Sequence, residues 1–252
     1  MKTKAVLGAV LAIFAPVLWA QTEIRAGTIL PVALSSSLNS RKLKPGQVVK
    51  ARVMQDVPLA PHRKIPEGAK VLGEVISVKT PSGSAGAQIS LRFDTLMLSG
   101  RRIPLITNLR AIASMMAVQG ALLPESGPDR GTPENAWTTD QIGGEVVYRG
   151  GGPVAHGSQF VGEPTDGGGV LVHVSAKPEA PCRGPVDGND QLQALWVFSS
   201  DACGVYDFQN LTIVHAGRSH PIGEITFASE HGELNVLAGS GMLLRVNASM
   251  PK

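Results

Sequence analysis

The chain has 252 residues, of which 43% are hydrophobic and 17% charged, with 29 Gly, 18 Pro and a formal net charge of +3. This composition can bury a core and is neither disordered nor collagen-like. Aromatic residues make up only 4%, too few for a nucleic-acid stacking platform, and a cytosolic enzyme or helical bundle fits poorly.

The first twenty residues carry Lys2 and Lys4, an apolar run from Ala5 to Leu18, and small residues at Val17 and Ala20. A basic start, an apolar middle and small residues before the cut are what a signal peptidase reads, so cleavage after Ala20 is expected. The run is shorter than the ~20 residues of a spanning helix, and no later stretch reaches that length. The expected location is therefore the periplasm or the exterior of a bacterial cell.

Charge is unevenly distributed along the remainder. Residues 21–110 hold 14 Lys/Arg against 5 Asp/Glu, whereas residues 111–252 hold 7 against 15. Such asymmetry steers the basic half toward an anionic partner, with Arg41, Lys42, Lys44 and Arg52 as the expected contacts. Two-residue alternation dominates this half. Val49, Ala51, Val53 and Val57 share one face, and Ala87, Ile89, Leu91 and Phe93 alternate with polar neighbours. Ile103, Leu105 and Thr107 continue the pattern, with turns at Pro45-Gly46, Pro66-Glu67-Gly68 and Pro81 to Gly86.

Leu109 to Leu123 is ambiguous, because a helical stripe is present without a clear N-cap box, and a loop follows from Pro124 to Pro133. Strands are expected again at Val170–Val174, Leu195–Phe198, Leu211–Ala216, Ile222–Ala228, Leu234–Leu237 and Met242–Asn247. The two cysteines, Cys182 and Cys203, are expected to form a disulfide in an oxidising compartment, worth about 3 kcal/mol. The fold expected is all-β: a single domain over 21–252, a Greek-key barrel or sandwich with an inserted disulfide-stapled β lobe. Barrel strands are expected over about 27–110 and 210–247, with the lobe over about 134–209.

Motifs for chemistry are weak. Gly150–Gly152 and Gly167–Gly169 lack the following helix and Lys-Ser/Thr pair of a phosphate loop, so they read as turns. The six histidines, His62, His156, His173, His215, His220 and His231, show no zinc-ligand spacing. Ala238-Gly239-Ser240-Gly241 lacks the leading glycine of a nucleophile elbow, and Asp187 and Asp190 lack EF-hand spacing. An enzyme built around His156, His173, His215 or Asp207 has no supporting spacing. No catalytic residue, metal or cofactor is expected.

One ordered set of motifs is more specific. Gly27-Thr28-Ile29-Leu30-Pro31-Val32-Ala33-Leu34, Leu38-Asn39-Ser40, Pro45-Gly46, Asp56-Val57, Ile65-Pro66-x-Gly68 and Leu72-Gly73 are followed by Gly86-Ala87-Gln88 and Ile103-Pro104-Leu105. Leu234-x-Val236-x-Ala238-Gly239-Ser240 comes near the end, with Leu244 and Val246. Over about residues 27–105 and 234–246 this resembles the TrbI-type barrel of conjugal-transfer and type IV secretion outer-membrane-core proteins. The resemblance implies a β-barrel scaffold in an envelope assembly. The middle, from Ile112 to Gly232, does not match the family's outer-membrane helical hairpin, and the Cys182–Cys203 lobe has no counterpart. The function expected is that of an exported, non-enzymatic envelope protein that assembles with an envelope partner or with itself. The alternative is a periplasmic or secreted module binding an anionic glycan or lipopolysaccharide.

Overall fold

The computed structural model describes residues 24–123, 138–149, 152–174, 191–214 and 222–247. Its strands are, in chain order, β1 (Ile29–Leu34), β2 (Leu38–Asn39), β3 (Val48–Val53), β4 (Val57–Ala60), β5 (Arg63–Ile65), β6 (Lys70–Lys79), β7 (Gln88–Leu98), β8 (Arg101–Pro104) and β9 (Thr107–Ala113). A short helix, α1 (Met115–Leu122), comes next. Then follow β10 (Thr138–Asp140), β11 (Val146–Tyr148), β12 (Val154–His156), β13 (Gln159–Pro164), β14 (Val170–Val172) and β15 (Gln193–Ala194). The last are β16 (Gly204–Tyr206), β17 (Thr212–Val214), β18 (Ile225–Ala228), β19 (Asn235–Val236) and β20 (Gly241–Val246).

The large sheet runs β16-β9-β20-β1-β3-β6-β7-β18-β17, with β8 beside β7. It curls into a nearly closed barrel, whose path ends, β16 and β17, approach one another without a ladder. β16 lies parallel to β9; the other ladders of this sheet are antiparallel. A second sheet, β10 through β15 in sequence order, packs outside the barrel. No helix among the described residues is long and apolar enough to cross a membrane.

Strand faces explain how the layers meet. In β3 every second residue is buried, because one face lines the barrel and the other meets solvent. All six residues of β1 are buried. Leu30, Val32 and Leu34 point into the barrel core, while Ile29 and Ala33 face the second sheet. β20 divides in the same way, with Met242 and Leu244 inward and Leu243 outward. Small outward residues, Ala33, Ala111 and Ala113, let the second layer approach closely. At Gly241 an added Cβ would lie 2.9 Å from the Val118 side chain and 3.3 Å from those of Trp196 and Phe198.

One expectation needs correction and one ambiguity is resolved. Leu195–Phe198 is a buried turn, closed by the Phe198 amide donating to the Leu195 carbonyl at 2.9 Å, with Trp196 at φ +53°. Its apolar run fills the space between the layers, and β15 ends just before it. The ambiguous Leu109–Leu123 segment holds two elements, the end of β9 and then α1. Ser114 is the N-cap, its hydroxyl accepting from the Ala117 amide at 3.0 Å. It is a lone cap, without the glutamate of a capping box.

Gln55 stitches the layers together. Only 3% exposed, its amide donates to the Val170 carbonyl at 2.8 Å and accepts from the Val170 amide at 3.2 Å and the Trp196 amide at 2.7 Å. Gly169 leaves room for it, since a Cβ there would sit 2.4 Å from the Gln55 Cδ. Gln193 makes a second stitch, its side-chain oxygen accepting from the Ile29 amide at 3.0 Å. The inserted sheet is thereby anchored to the barrel wall by amide side chains acting as short pieces of backbone.

Candidate functional site

The second sheet covers only part of the barrel exterior, over β1, β9 and β20. Among the described residues, the wall of β3, β6, β7 and β8 is left facing outward. Register places Arg52 opposite Lys70, Lys70 opposite Met97, and Met97 opposite Arg102, one row across four strands. Arg52, Lys70 and Arg102 are exposed. Among the described residues no carboxylate pairs with any of the three. Lys50 lies on the same face of β3 as Arg52. Directly opposed like charges oppose the sheet by a few tenths of a kcal/mol or more. The half-buried Leu72 and Met97 lie among the cations, while Val48, 56% exposed, and Ile76, 39% exposed, lie further along the wall beside Glu74, which pairs with Arg92.

The four basic residues singled out in the sequence fall in two places. Arg41, Lys42 and Lys44 occupy the turn after β2, organised by Asn39, whose side-chain oxygen accepts from the Arg41 amide at 2.9 Å. Arg41 also pairs with Glu233 at 3.0 Å, both well exposed, a contact of small energetic weight. Arg52 stands near the far end of β3, about 13 Å of strand from Val48. Lys70 and Arg102 were not singled out, because their alignment depends on strand register. Alternation read from each strand separately could still have put both on outward faces.

A cleft of about 560 Å³ lies between the β4–β5 hairpin and the turn before β14, bordered by Asp56, His62, Lys64, Glu67, Thr165 and Asp166. Its β4–β5 wall is internally bonded, whereas the buried Thr165 hydroxyl has no hydrogen-bond partner. Lys64 bonds the Asp56 carboxylate, which also accepts from the Glu67 amide at 2.9 Å. These contacts, Lys64 first, hold the Asp56 carboxyl below its ordinary value. A depressed carboxyl stabilises the fold above its unfolded value and loses that contribution as pH falls through the lowered one. Asp56 and Lys64 are exposed, so solvent screening keeps the effect small. Pro58, Ala60 and Leu171 give the cleft an apolar lining beside these polar groups.

The histidines scatter. His62 tips the β4–β5 hairpin at φ +59°, and His173 and His231 lie in separate loops. His215 and His220 fall outside the described residues. His156 is the exception, because its Nδ1 sits 3.3 Å from Glu145 Oε1. One ligand atom each from Glu145, His156 and Asp201 lie within 4.8 Å of one another, a grouping that sequence spacing did not reveal. Arg110 reaches the same turn, donating to the carbonyls of Ala202 at 2.9 Å and Ser200 at 3.4 Å. Burial pushes its guanidinium below the ordinary value, while Tyr206 and then Asp201 oppose that shift. Asp207 bonds the Ser114 hydroxyl at the start of α1 and does not join this group.

No free thiol is present among the described residues. Cys203 lies just before β16, its amide donating to the Tyr206 hydroxyl at 3.0 Å, and Cys182 lies outside the described residues. So do the expected signal segment and Gly150–Gly151. Gly167–Gly168 form a tight turn ahead of β14, with no helix following to hold a phosphate. Neither a protein-family model nor a curated protein matches this sequence.

Proposed function

We propose that this is an exported, non-enzymatic envelope protein whose barrel serves as a scaffold for protein–protein assembly. The observation carrying the reading is the unneutralised row Arg52–Lys70–Met97–Arg102 on the uncovered barrel wall. Cations aligned at some cost to the sheet, with half-buried apolar side chains between them, suit an acidic protein surface with an apolar centre. The chain's own second half, rich in Asp and Glu, has the matching sign of charge.

The finer parts of the reading belong with it. They are removal of residues 1–20 on export, a Greek-key path related to the TrbI-type barrel, and a Cys182–Cys203 disulfide stapling the inserted lobe. The alternative partner, an anionic glycan or lipopolysaccharide, would meet the same cations. The apolar Leu72 and Met97 among them favour protein.

Light scattering after size exclusion tests the proposal, on the mature protein alone and mixed with solubilised envelope proteins. A complex heavier than the monomer is expected at about 50 mM salt and should dissociate near 0.5 M, where the Debye length is only a few ångström. A monomer in both mixtures at low salt would contradict it.

A further inference from the structure

We propose that Glu145, His156 and Asp201 form a binding site for a divalent transition-metal ion of the zinc class. The site would lie where the β11–β12 edge meets the Ser199–Asp201 turn.

The ladder brings the first two together. Val146 pairs with Ala155 and Val147 with Val154, so the next position places Glu145 opposite His156 on the same face as Val147 and Val154. The Ser199–Asp201 turn covers that face. The Ser200 amide donates to Glu145 Oε2 at 2.8 Å, and the Ser200 hydroxyl bonds Oε1. The Ser199 hydroxyl donates to Asp201 Oδ1 at 2.8 Å. Both carboxylates are therefore oriented by neighbouring hydrogen bonds, as metal-binding carboxylates usually are. Gly143 makes the turn's approach feasible, since a Cβ there would lie 1.8 Å from Ser199 Oγ.

Burial and spacing favour an ion. Glu145 is fully buried and Asp201 only 4% exposed, and buried carboxylates persist when paired or coordinating a metal. Arg110, bonded to the Ser200 and Ala202 carbonyls, lies against the same turn. A tetrahedral ion with bonds of ~2.0–2.2 Å sets its ligand atoms roughly 3.4 Å apart, close to the 3.3 Å between Glu145 and His156. One imidazole and two carboxylates are a nitrogen–oxygen set suited to zinc, with a fourth position left open. His156, its side chain 48% exposed, gives an ion a route in from solvent.

A second observation points to the same place. The Gln141 amide donates to the Glu145 carbonyl at 2.7 Å, extending the β10–β11 ladder, in which Asp140 pairs with Val146. Gln141 therefore stands opposite Glu145, on the face of His156. It is 3% exposed, and neither its side-chain nitrogen nor its oxygen has a hydrogen-bond partner. A buried amide with both ends unmet is costly to the fold. A metal-bound water, or the ion itself, would satisfy its oxygen.

The test uses the full chain without a histidine tag, stripped with chelator and titrated with Zn²⁺ against a chromophoric competitor. One equivalent is expected to bind saturably, Co²⁺ to give a visible d–d absorption band, and the melting temperature to rise roughly 5–10 °C at a hundredfold excess of Zn²⁺ over Kd. His156→Ala, at a half-exposed side chain, should fold normally and weaken Zn²⁺ binding about tenfold or more. Glu145→Gln, where it folds, should do the same. No saturable uptake of Zn²⁺ or Co²⁺ by the folded protein would overturn the assignment. So would uptake and a Co²⁺ spectrum that His156→Ala leaves unchanged.

Discussion

Gln55→Ala is expected to destabilise the protein by roughly 3–5 kcal/mol in urea unfolding, a large loss for a single polar side chain. The truncation leaves the Val170 and Trp196 amides without the Gln55 acceptor in a buried seam, and the Val170 carbonyl with the Leu195 amide alone, at 3.2 Å. No neighbouring side chain replaces these bonds, and water reaches them only if the seam opens. The loss should fall on contact between the layers rather than on the barrel ladders. Far-ultraviolet circular dichroism should therefore stay that of a β protein, while tryptophan fluorescence shifts to the red as Trp196 becomes wet. A change below about 1 kcal/mol would mean that the second sheet is held by its apolar contacts alone, since that is the net worth of one ordinary hydrogen bond.

Lys70→Glu is expected to move stability and assembly in opposite directions. The substitution puts a carboxylate directly opposite Arg52, and replacing a like-charge pair by an opposite one should stabilise the sheet by about 0.5 kcal/mol. The same change reverses the charge at the centre of the proposed contact and should weaken binding at least about tenfold, the loss shrinking as salt rises. Lys70→Gln should fall between. Melting curves and light scattering on the same samples read both effects. Parallel loss of stability and assembly would assign Lys70 to the fold, and the cation row would no longer support a partner.

The parts of the fold legible in the sequence are those whose strands have one wet face. Val49, Ala51 and Val53 in β3 alternate with solvent-facing residues because only one side is buried, and Ile89, Leu91 and Phe93 in β7 alternate with polar residues, of which Arg92 is exposed and Ser90 is buried against Thr226. β1, β9 and β20 are covered on both faces, so Ile29–Leu34 and Thr107–Ala113 read as unbroken or mixed runs. That double burial explains why Leu109–Leu123 was ambiguous. The same reason hid the Leu195–Phe198 turn, whose four apolar residues look like a strand because every side of it is packed.

The candidate sites were less legible because each depends on register between distant segments. Arg52 was visible as a cation, but its row with Lys70 and Arg102 exists only once β3, β6, β7 and β8 are aligned. Glu145 and His156 come together across the β11–β12 ladder, and Asp201 reaches them from a turn 45 residues beyond His156. No linear spacing rule encodes that convergence. Arg41, Lys42 and Lys44 were adjacent in sequence and remain adjacent in space, apart from Arg52.

Site-specific photo-crosslinking in the native envelope tests the central claim most directly. With a photoreactive residue in place of the half-buried Met97, between Lys70 and Arg102, irradiation is expected to join the chain to a protein, giving a discrete heavier band that Lys70→Glu abolishes. Irradiation that leaves the chain at its own mass, with the variant folded and located in the envelope, would contradict an assembly role for this wall of the barrel.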